Sequence, residues 1–173
     1  ADVLGVKRLE LYLNYEKPLS KEERENIKEK LKKRGPKRIP LQHILGYEEF
    51  YGYRFKVNNQ VLIPRPETEI LVENCLNKLK DLKEPIVLDI GTGSGAIAIS
   101  IAKERKDAKI LAVDIKEEAL NVATENAKLN KVENLKFQKS DIFEKIKFNK
   151  FDMIISNPPY IPENEYEKLM PEV

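Results

Sequence analysis

The period of the apolar positions changes twice along the chain. In the first forty residues it is helical: Leu19-Ser20-Lys21-Glu22-Glu23 carries a capping box, with Ser20 as N-cap and Glu23 three residues on, and Ile27 and Leu31 form the stripe behind it. Lys30, Lys32, Lys33 and Arg34 crowd the last turn, where cations complement the helix dipole, and Gly35-Pro36 ends it. Val6 to Tyr15 predicts a second short helix. Such a module is too small to bury a core of its own. Residues 49–63 then turn aromatic and β-branched, with Phe50, Tyr51, Tyr53, Phe55 and Val57, then Val61, Leu62 and Ile63, and with Asn58-Asn59 between the two runs. That pattern predicts a β-hairpin turning at Asn58-Asn59. Pro66 suits a helix start, and Val72, Cys75, Leu76, Leu79 and Leu82 recur at helical spacing behind it.

From Pro85 onward short apolar runs alternate with helices: strands over 86–90, 109–115, 135–140 and 151–156, helices over 94–105 and 117–130. The alternation predicts an α/β fold, a parallel sheet with helices on both faces. Ile86-Val87-Leu88 and Met153-Ile154-Ile155 are apolar without alternation, which predicts strands covered on both sides.

Composition narrows the function classes. The 173 residues hold 31 Lys and Arg against 29 Asp and Glu, a net charge of +2, so no polyanionic partner dominates. The balance is uneven, however: twelve bases face seven acids in residues 1–40, and nineteen face twenty-two in 41–173. One cysteine, Cys75, and one histidine, His43, exclude an internal disulfide and Cys-rich or multi-histidine metal sites. Cys75 falls on the apolar stripe of its helix and reads as core. No stretch has the roughly 20 apolar residues of a spanning helix, and no export signal is seen after Ala1, so a cytoplasmic protein is expected.

The chemistry is carried by strand ends. Asp89-Ile90-Gly91-Thr92-Gly93-Ser94-Gly95-Ala96 closes the first strand of the sheet and opens a helix. Alternate glycines allow a tight turn and close approach of a ligand, and a helix N-terminus favours electron-rich groups, so Gly91 to Gly95 read as a nucleotide-type cradle. Gly91, Gly93 and Ala96 also satisfy a dinucleotide fingerprint, which leaves the cofactor open between two classes. Asp114 ends the next strand 21 residues after Gly93, where a carboxylate can accept from both ribose hydroxyls or can cap the helix at Glu117. Asp141, after the third strand, stands where it can accept from an adenine amino group, with Ile142 against the ring; the alternative is an ordinary turn residue.

Ser156-Asn157-Pro158-Pro159-Tyr160 follows the fourth strand. The Asn157 side-chain oxygen and the Pro158 carbonyl are two acceptors that can converge on one NH2 group, and Tyr160 offers a face on which a planar amide can stack. A hydride-transferring oxidoreductase would share the glycine loop and Asp114 but has no use for this segment.

Asn157-Pro158-Pro159-Tyr160 with the Gly91-Thr92-Gly93-Ser94-Gly95 loop resembles the class I S-adenosylmethionine-dependent N-methyltransferases. Ile63-Pro64-Arg65-Pro66-Glu67-Thr68-Glu69, with Pro40-Leu41-Gln42 and Gly46, is similar to the HemK/PrmC family of release-factor glutamine methyltransferases. The likeness covers essentially the whole chain. It implies a Rossmann-like sheet, S-adenosylmethionine as cofactor, held by Gly91, Thr92, Gly93, Ser94, Gly95, Asp114, Asp141, Ile142 and Asn157, and no metal. It implies as substrate the glutamine of the Gly-Gly-Gln motif in bacterial peptide-chain release factors, held by Asn157, Pro158, Pro159 and Tyr160, with Asn157, Pro158 and Tyr160 catalytic. His43 stands where the family commonly has tyrosine, and takes no role. The implied domains are a helical substrate-docking module at 1–40, a linker and hairpin at 41–66, and the methyltransferase domain at 67–173. A family sheet of seven strands implies that this chain, with four before Val173, is part of a longer protein, expected to be a monomer. Two rivals stay open. A nucleic-acid amino-methyltransferase would use the run Lys28, Lys30, Lys32, Lys33, Arg34, Lys37 and Arg38 as a phosphate track, and a fragment lacking activity would serve as a binding module.

Overall fold

A computed structural model describes residues 1–147 and 150–159. Contacts divide them into two compact units, one holding Ala1–Leu45 and the other lying within Gly46–Ile161.

The first unit is helical. After a 3-10 turn at Asp2–Leu4 come α1 (Arg8–Leu13), α2 (Lys21–Arg34) and α3 (Leu41–Leu45). The capping box of α2 forms as the sequence dictates: the Glu23 amide donates to Ser20 Oγ at 3.1 Å, and the Ser20 amide donates to Glu23 Oε2 at 2.6 Å. The Ser20 backbone and side chain together hold the Glu23 carboxyl below its usual range. No residue of these helices is fully buried, in keeping with a module too short for a core.

The second unit opens on an antiparallel hairpin, β1 (Tyr47–Phe50) and β2 (Tyr53–Lys56), and continues with α4 (Glu67–Leu79), β3 (Ile86–Ile90), α5 (Ala96–Glu104), β4 (Lys109–Asp114), α6 (Glu117–Leu129), β5 (Leu135–Lys139) and β6 (Met153–Ser156). The hairpin turns at Tyr51-Gly52, not at Asn58-Asn59. Tyr51 and Gly52 sit at φ of 51° and 74°, the pair of positive values that a two-residue turn needs to match strand twist. Asn58 does make a turn, its side-chain oxygen accepting the Gln60 amide at 2.9 Å, but the residues after it form no strand. Val57 and Val61 pack instead on Ala119 and Val122 of α6.

Strands β5-β4-β3-β6 form one parallel sheet in that order. Val87, Ile110, Ala112 and Ile155 point to one face, where buried residues of α4, α5 and α6 and the hairpin's Phe50 and Phe55 complete the main core. The other face carries Leu88, Leu111 and Val113 beneath Ile146 and Phe151. The expected helices on both faces are therefore found on one among the described residues. Ile154, registered beside Leu88 on the outer strand β6, is 52% exposed, so the expected burial of β6 on both sides is not met. Cys75 is buried in the main core and burial raises its thiol pKa, as a packing residue requires.

Polar side chains lock the hairpin to this core. Asn126, fully buried on α6, accepts the Lys56 amide at 2.6 Å and donates to the Lys56 carbonyl at 3.0 Å and the Ser94 carbonyl at 2.9 Å. Tyr53 Oη donates to Glu104 Oε1 at 2.5 Å, a bond that pushes the phenol up to about 12. Arg105 donates to the carbonyls of Leu79 and Leu82 and ties the end of α4 down.

Among the described residues, one carboxylate is buried. Asp89, 1% exposed, points to the helix face of the sheet, and burial raises it from 3.8 to about 6 although the Thr92 hydroxyl donates to it. The folded state thus holds a proton that the unfolded chain has lost, and stability falls as pH rises from about 4 to about 6, by about 3 kcal/mol in total. Urea unfolding of wild type and Asp89→Asn should show the wild type losing stability against the variant across that window; a pH-independent difference would contradict it. Asn126→Ala leaves three backbone groups without partners, and the unfolding free energy should drop by about 3 kcal/mol. A loss below about 0.5 kcal/mol would show that those groups find other partners.

Candidate functional site

The parallel register gathers the predicted residues at one sheet edge. Ile90 pairs with Ser156, and Ser156 Oγ donates to the Ile90 carbonyl at 2.9 Å, so the chain leaving β3 as the glycine loop and the chain leaving β6 as Asn157-Pro158-Pro159 depart side by side. Asp114 ends β4, and Ser140-Asp141-Ile142 follows β5 at the same carboxyl edge. In open α/β sheets ligands bind there.

Gly91, Gly93 and Gly95 all have positive φ, 71°, 55° and 80°, but they serve different ends. A Cβ on Gly95 would lie 2.9 Å from Ile99 Cδ1 and 3.1 Å from Ala123 Cβ, so this glycine lets α5 close on α6. A Cβ on Gly91 or Gly93 would meet nothing within 4 Å, and these two face open space. Thr92 and Ser94 are buried, so their side chains are turned away from that space. Thr92 Oγ1 donates to Asp89 Oδ2 at 2.7 Å.

Most of the loop's own donors are already engaged. The Gly91 and Thr92 amides both donate to the Val113 carbonyl, at 2.9 and 3.0 Å, and the Gly95 amide donates to the Thr92 carbonyl at 2.9 Å. The Gly93 amide donates to Asp114 Oδ2 at 2.9 Å. The loop is thus a braced turn with open space over Gly91 and Gly93 rather than a row of free amides. Asp114 combines both readings offered by its position. Its Oδ1 accepts the Lys116 amide at 3.0 Å just before α6, its Oδ2 holds the loop, and each oxygen keeps a second lone pair on a half-exposed side chain.

Asp141 is exposed, and its carbonyl accepts the Glu144 amide at 2.9 Å. Ile142 is exposed with φ at 42°, and its carbonyl accepts from Ser140 Oγ at 3.1 Å. This tight turn presents an apolar side chain beside the end of β4. Asn157 is exposed, and its Nδ2 donates to Thr68 Oγ1 at 3.2 Å. The next residue, Glu69, accepts the Tyr51 amide of the hairpin turn on Oε1 at 2.7 Å. Pro158 and Pro159 are exposed; the expectation for Tyr160 lies outside the described residues. His43 sits in α3 with its pKa lowered by burial.

Sequence reasoning missed Asp89, Thr68 and Asn126. Asp89 had a signal, a carboxylate inside the apolar run Ile86-Val87-Leu88 and Ile90. Thr68 stands in the Ile63–Glu69 segment that carries the family likeness, but nothing there pointed to Asn157, and Asn126 had no signal, because the partners lie 89 and 70 residues away.

In the first unit, Lys28 pairs with Glu25 at 2.8 Å, Lys33 with Glu29 at 2.8 Å and Lys30 with Asp2 at 3.2 Å, so three of the seven bases of the suggested phosphate track are matched to local acids. No described helix is long and apolar enough to cross a membrane.

Known proteins bear on this arrangement. Over 174 residues the chain is 49% identical to the release factor glutamine methyltransferase of Fusobacterium nucleatum, covering 100% of this chain and 49% of that protein. It is 42% identical to the protein of the same name from Chlorobaculum tepidum, covering 99% and 61%. The chain thus spans about half to three-fifths of the length of these curated relatives. Among solved structures, wild-type Trm5b from Pyrococcus abyssi superposes with a TM-score of 0.54 at 28% identity, over 65% of this chain and 32% of that one. The Pyrococcus abyssi tRNA (uracil-54, C5)-methyltransferase in complex with S-adenosyl-L-homocysteine gives 0.53 at 22%, over 65% and 28%, a likeness of fold alone. The family model of the PrmC N-terminal domain matches residues 1–46, and that of the methyltransferase small domain matches residues 66–171. The chain belongs to the methyltransferase small domain family, with a PrmC N-terminal domain ahead of it.

Proposed function

We propose that the protein transfers the methyl group of S-adenosylmethionine to the side-chain amide nitrogen of the glutamine in the Gly-Gly-Gln motif of bacterial peptide-chain release factors, in the cytoplasm. The observation that carries this reading is the Ile90–Ser156 register, which sets the glycine loop and the Asn157 acceptor side by side. The names of the curated relatives support the substrate, and the first unit, three of whose bases pair with local acids, is assigned to docking the protein substrate and not to a phosphate backbone.

The residues at the edge fit the cofactor. Open space over Gly91 and Gly93, the spare lone pairs of Asp114 for a ribose diol, and the apolar face of Ile142 for an adenine ring suit an adenosine laid across the strand ends, with Asp141 toward its amino group. When bound, S-adenosylmethionine supplies a methyl group on a sulfonium, already a good leaving group.

What the chain supplies is alignment. Asn157 Oδ1 and the Pro158 carbonyl accept the two hydrogens of the substrate NH2 and aim its nitrogen at the methyl carbon. Amide nitrogen is a weak nucleophile because its lone pair is delocalised. As the N–C bond forms and the S–C bond breaks, positive charge builds on nitrogen, and the two fixed acceptors stabilise it. The surplus proton then leaves to solvent. Pro159 stiffens the segment, and Tyr160 is assigned the stacking contact.

Asn157→Ala should lower turnover by about 100-fold or more in a methyl-transfer assay while leaving the unfolding transition in place; turnover near wild type would overturn the assignment. Asp114→Ala should weaken S-adenosylhomocysteine binding at least about tenfold by calorimetry, with NAD not binding either protein. Mass spectrometry of a release factor incubated with the full-length protein should find one methyl group on the Gly-Gly-Gln glutamine and none on a Gln→Ala version. Transfer of labelled methyl to duplex DNA would instead select the nucleic-acid reading.

A further inference from the structure

Asn157 is useful to an NH2 substrate in one orientation only. Its oxygen can accept from the substrate, whereas its own NH2 would face the substrate donor to donor. The backbone is restrained, because Pro158 confines the preceding residue to extended conformations. The side chain is not restrained by burial, since Asn157 is exposed, and the terminal torsion of an asparagine is broad and two-fold. Something outside the motif has to hold the amide in one orientation.

Thr68 is in position to do so. Its Oγ1 lies 3.2 Å from Asn157 Nδ2, within the same compact unit and from a different element, the first turn of α4. That turn is well anchored. The Thr68 amide donates to the Arg65 carbonyl and the Glu69 amide to the Pro66 carbonyl, both at 3.0 Å, and the Glu69 carboxylate grips the Tyr51 amide at 2.7 Å. A threonine hydroxyl can donate as well as accept, so the orientation rests on the observed pairing of Oγ1 with Nδ2, which leaves Oδ1 facing the other way.

We propose that Thr68 is a positioning residue for methyl transfer: by accepting from Nδ2 it turns Asn157 Oδ1 toward the substrate amide. This rests on the reading of Asn157 given above. It also gives a physical reason for a threonine followed by a glutamate in this segment, one residue aligning the acceptor and the other fixing the helix that carries it.

The test uses the full-length protein and a release factor. Thr68→Val, similar in shape but without the hydroxyl, should lower kcat about tenfold with KM for S-adenosylmethionine changed less than about twofold, and Thr68→Ser should recover to within about threefold of wild type. In single-turnover measurements with labelled cofactor, Thr68→Val should cost nothing further once Asn157 is alanine, since both act through one hydrogen bond. A wild-type kcat in Thr68→Val, or a full additional loss in the double variant, would overturn the proposal. A separate readout does not depend on the substrate: the order parameter of the Asn157 side-chain amide, measured by 15N relaxation, should fall in Thr68→Val and hold in Thr68→Ser. If the wild type transfers no methyl to the release factor, the substrate reading fails, and this measurement still decides; an unchanged order parameter in Thr68→Val would show that Thr68 does not hold the amide.

Discussion

Everything at the candidate site depends on the alignment of two parallel strands. With Ile90 opposite Ser156, and the Ser156 hydroxyl fastened to the Ile90 carbonyl, the two chains leave the sheet at the same level. Because side chains alternate along a strand, a slip of one residue would move Ile155 out of the helix-side core and bring Ile154 into it. It would also carry Asn157 along the strand axis by about 3.3 Å, more than the tolerance of a hydrogen bond. The burial of Ile155 beside exposed Ile154 therefore fixes more than the core, since it sets the height of the acceptor above the glycine loop.

The loop itself is held from below. Val113 takes two of its amides, Asp114 takes a third, and Asn126 takes the Ser94 carbonyl while gripping Lys56 of the hairpin. With those donors satisfied internally, the loop keeps its curvature with nothing bound in it, which reduces the ordering that binding would otherwise cost. Buried Asp89 belongs to the same frame. Its raised pKa marks an ionisable group kept out of water, and its bond to Thr92 orients the residue between the two open glycines.

Much of this was legible in the sequence. The βαβαβ alternation, the Ser20–Glu23 box and the order of the strand-end residues follow from local periodicity and short-range spacing, which is the kind of information a chain carries openly. The hairpin shows where that fails. Asn58-Asn59 and Tyr51-Gly52 both lie between β-forming runs, and the choice between them was made by long-range contacts: Asn126 binding both backbone groups of Lys56 and Glu69 binding the Tyr51 amide. Among the described residues the helices lie on one face of the sheet, for a related reason. An apolar strand announces that it can be buried on both sides, but not which elements do the covering, and α4, α5 and α6 all chose the face of Val87 and Ile110.

The segment Pro64–Glu69 draws these threads together. As sequence it is a helix start behind two prolines, and local rules explain the prolines and the acids of its first turn but not the threonine. In space Glu69 reaches the hairpin turn while its neighbour Thr68 reaches the end of β6, so one turn of helix links the piece that closes over the core to the piece that carries the acceptor. Adjacent residues on a helix point about 100° apart. That divergence is what allows two neighbours to hold two different elements, and it makes the spacing of this segment as demanding as that of the glycine loop.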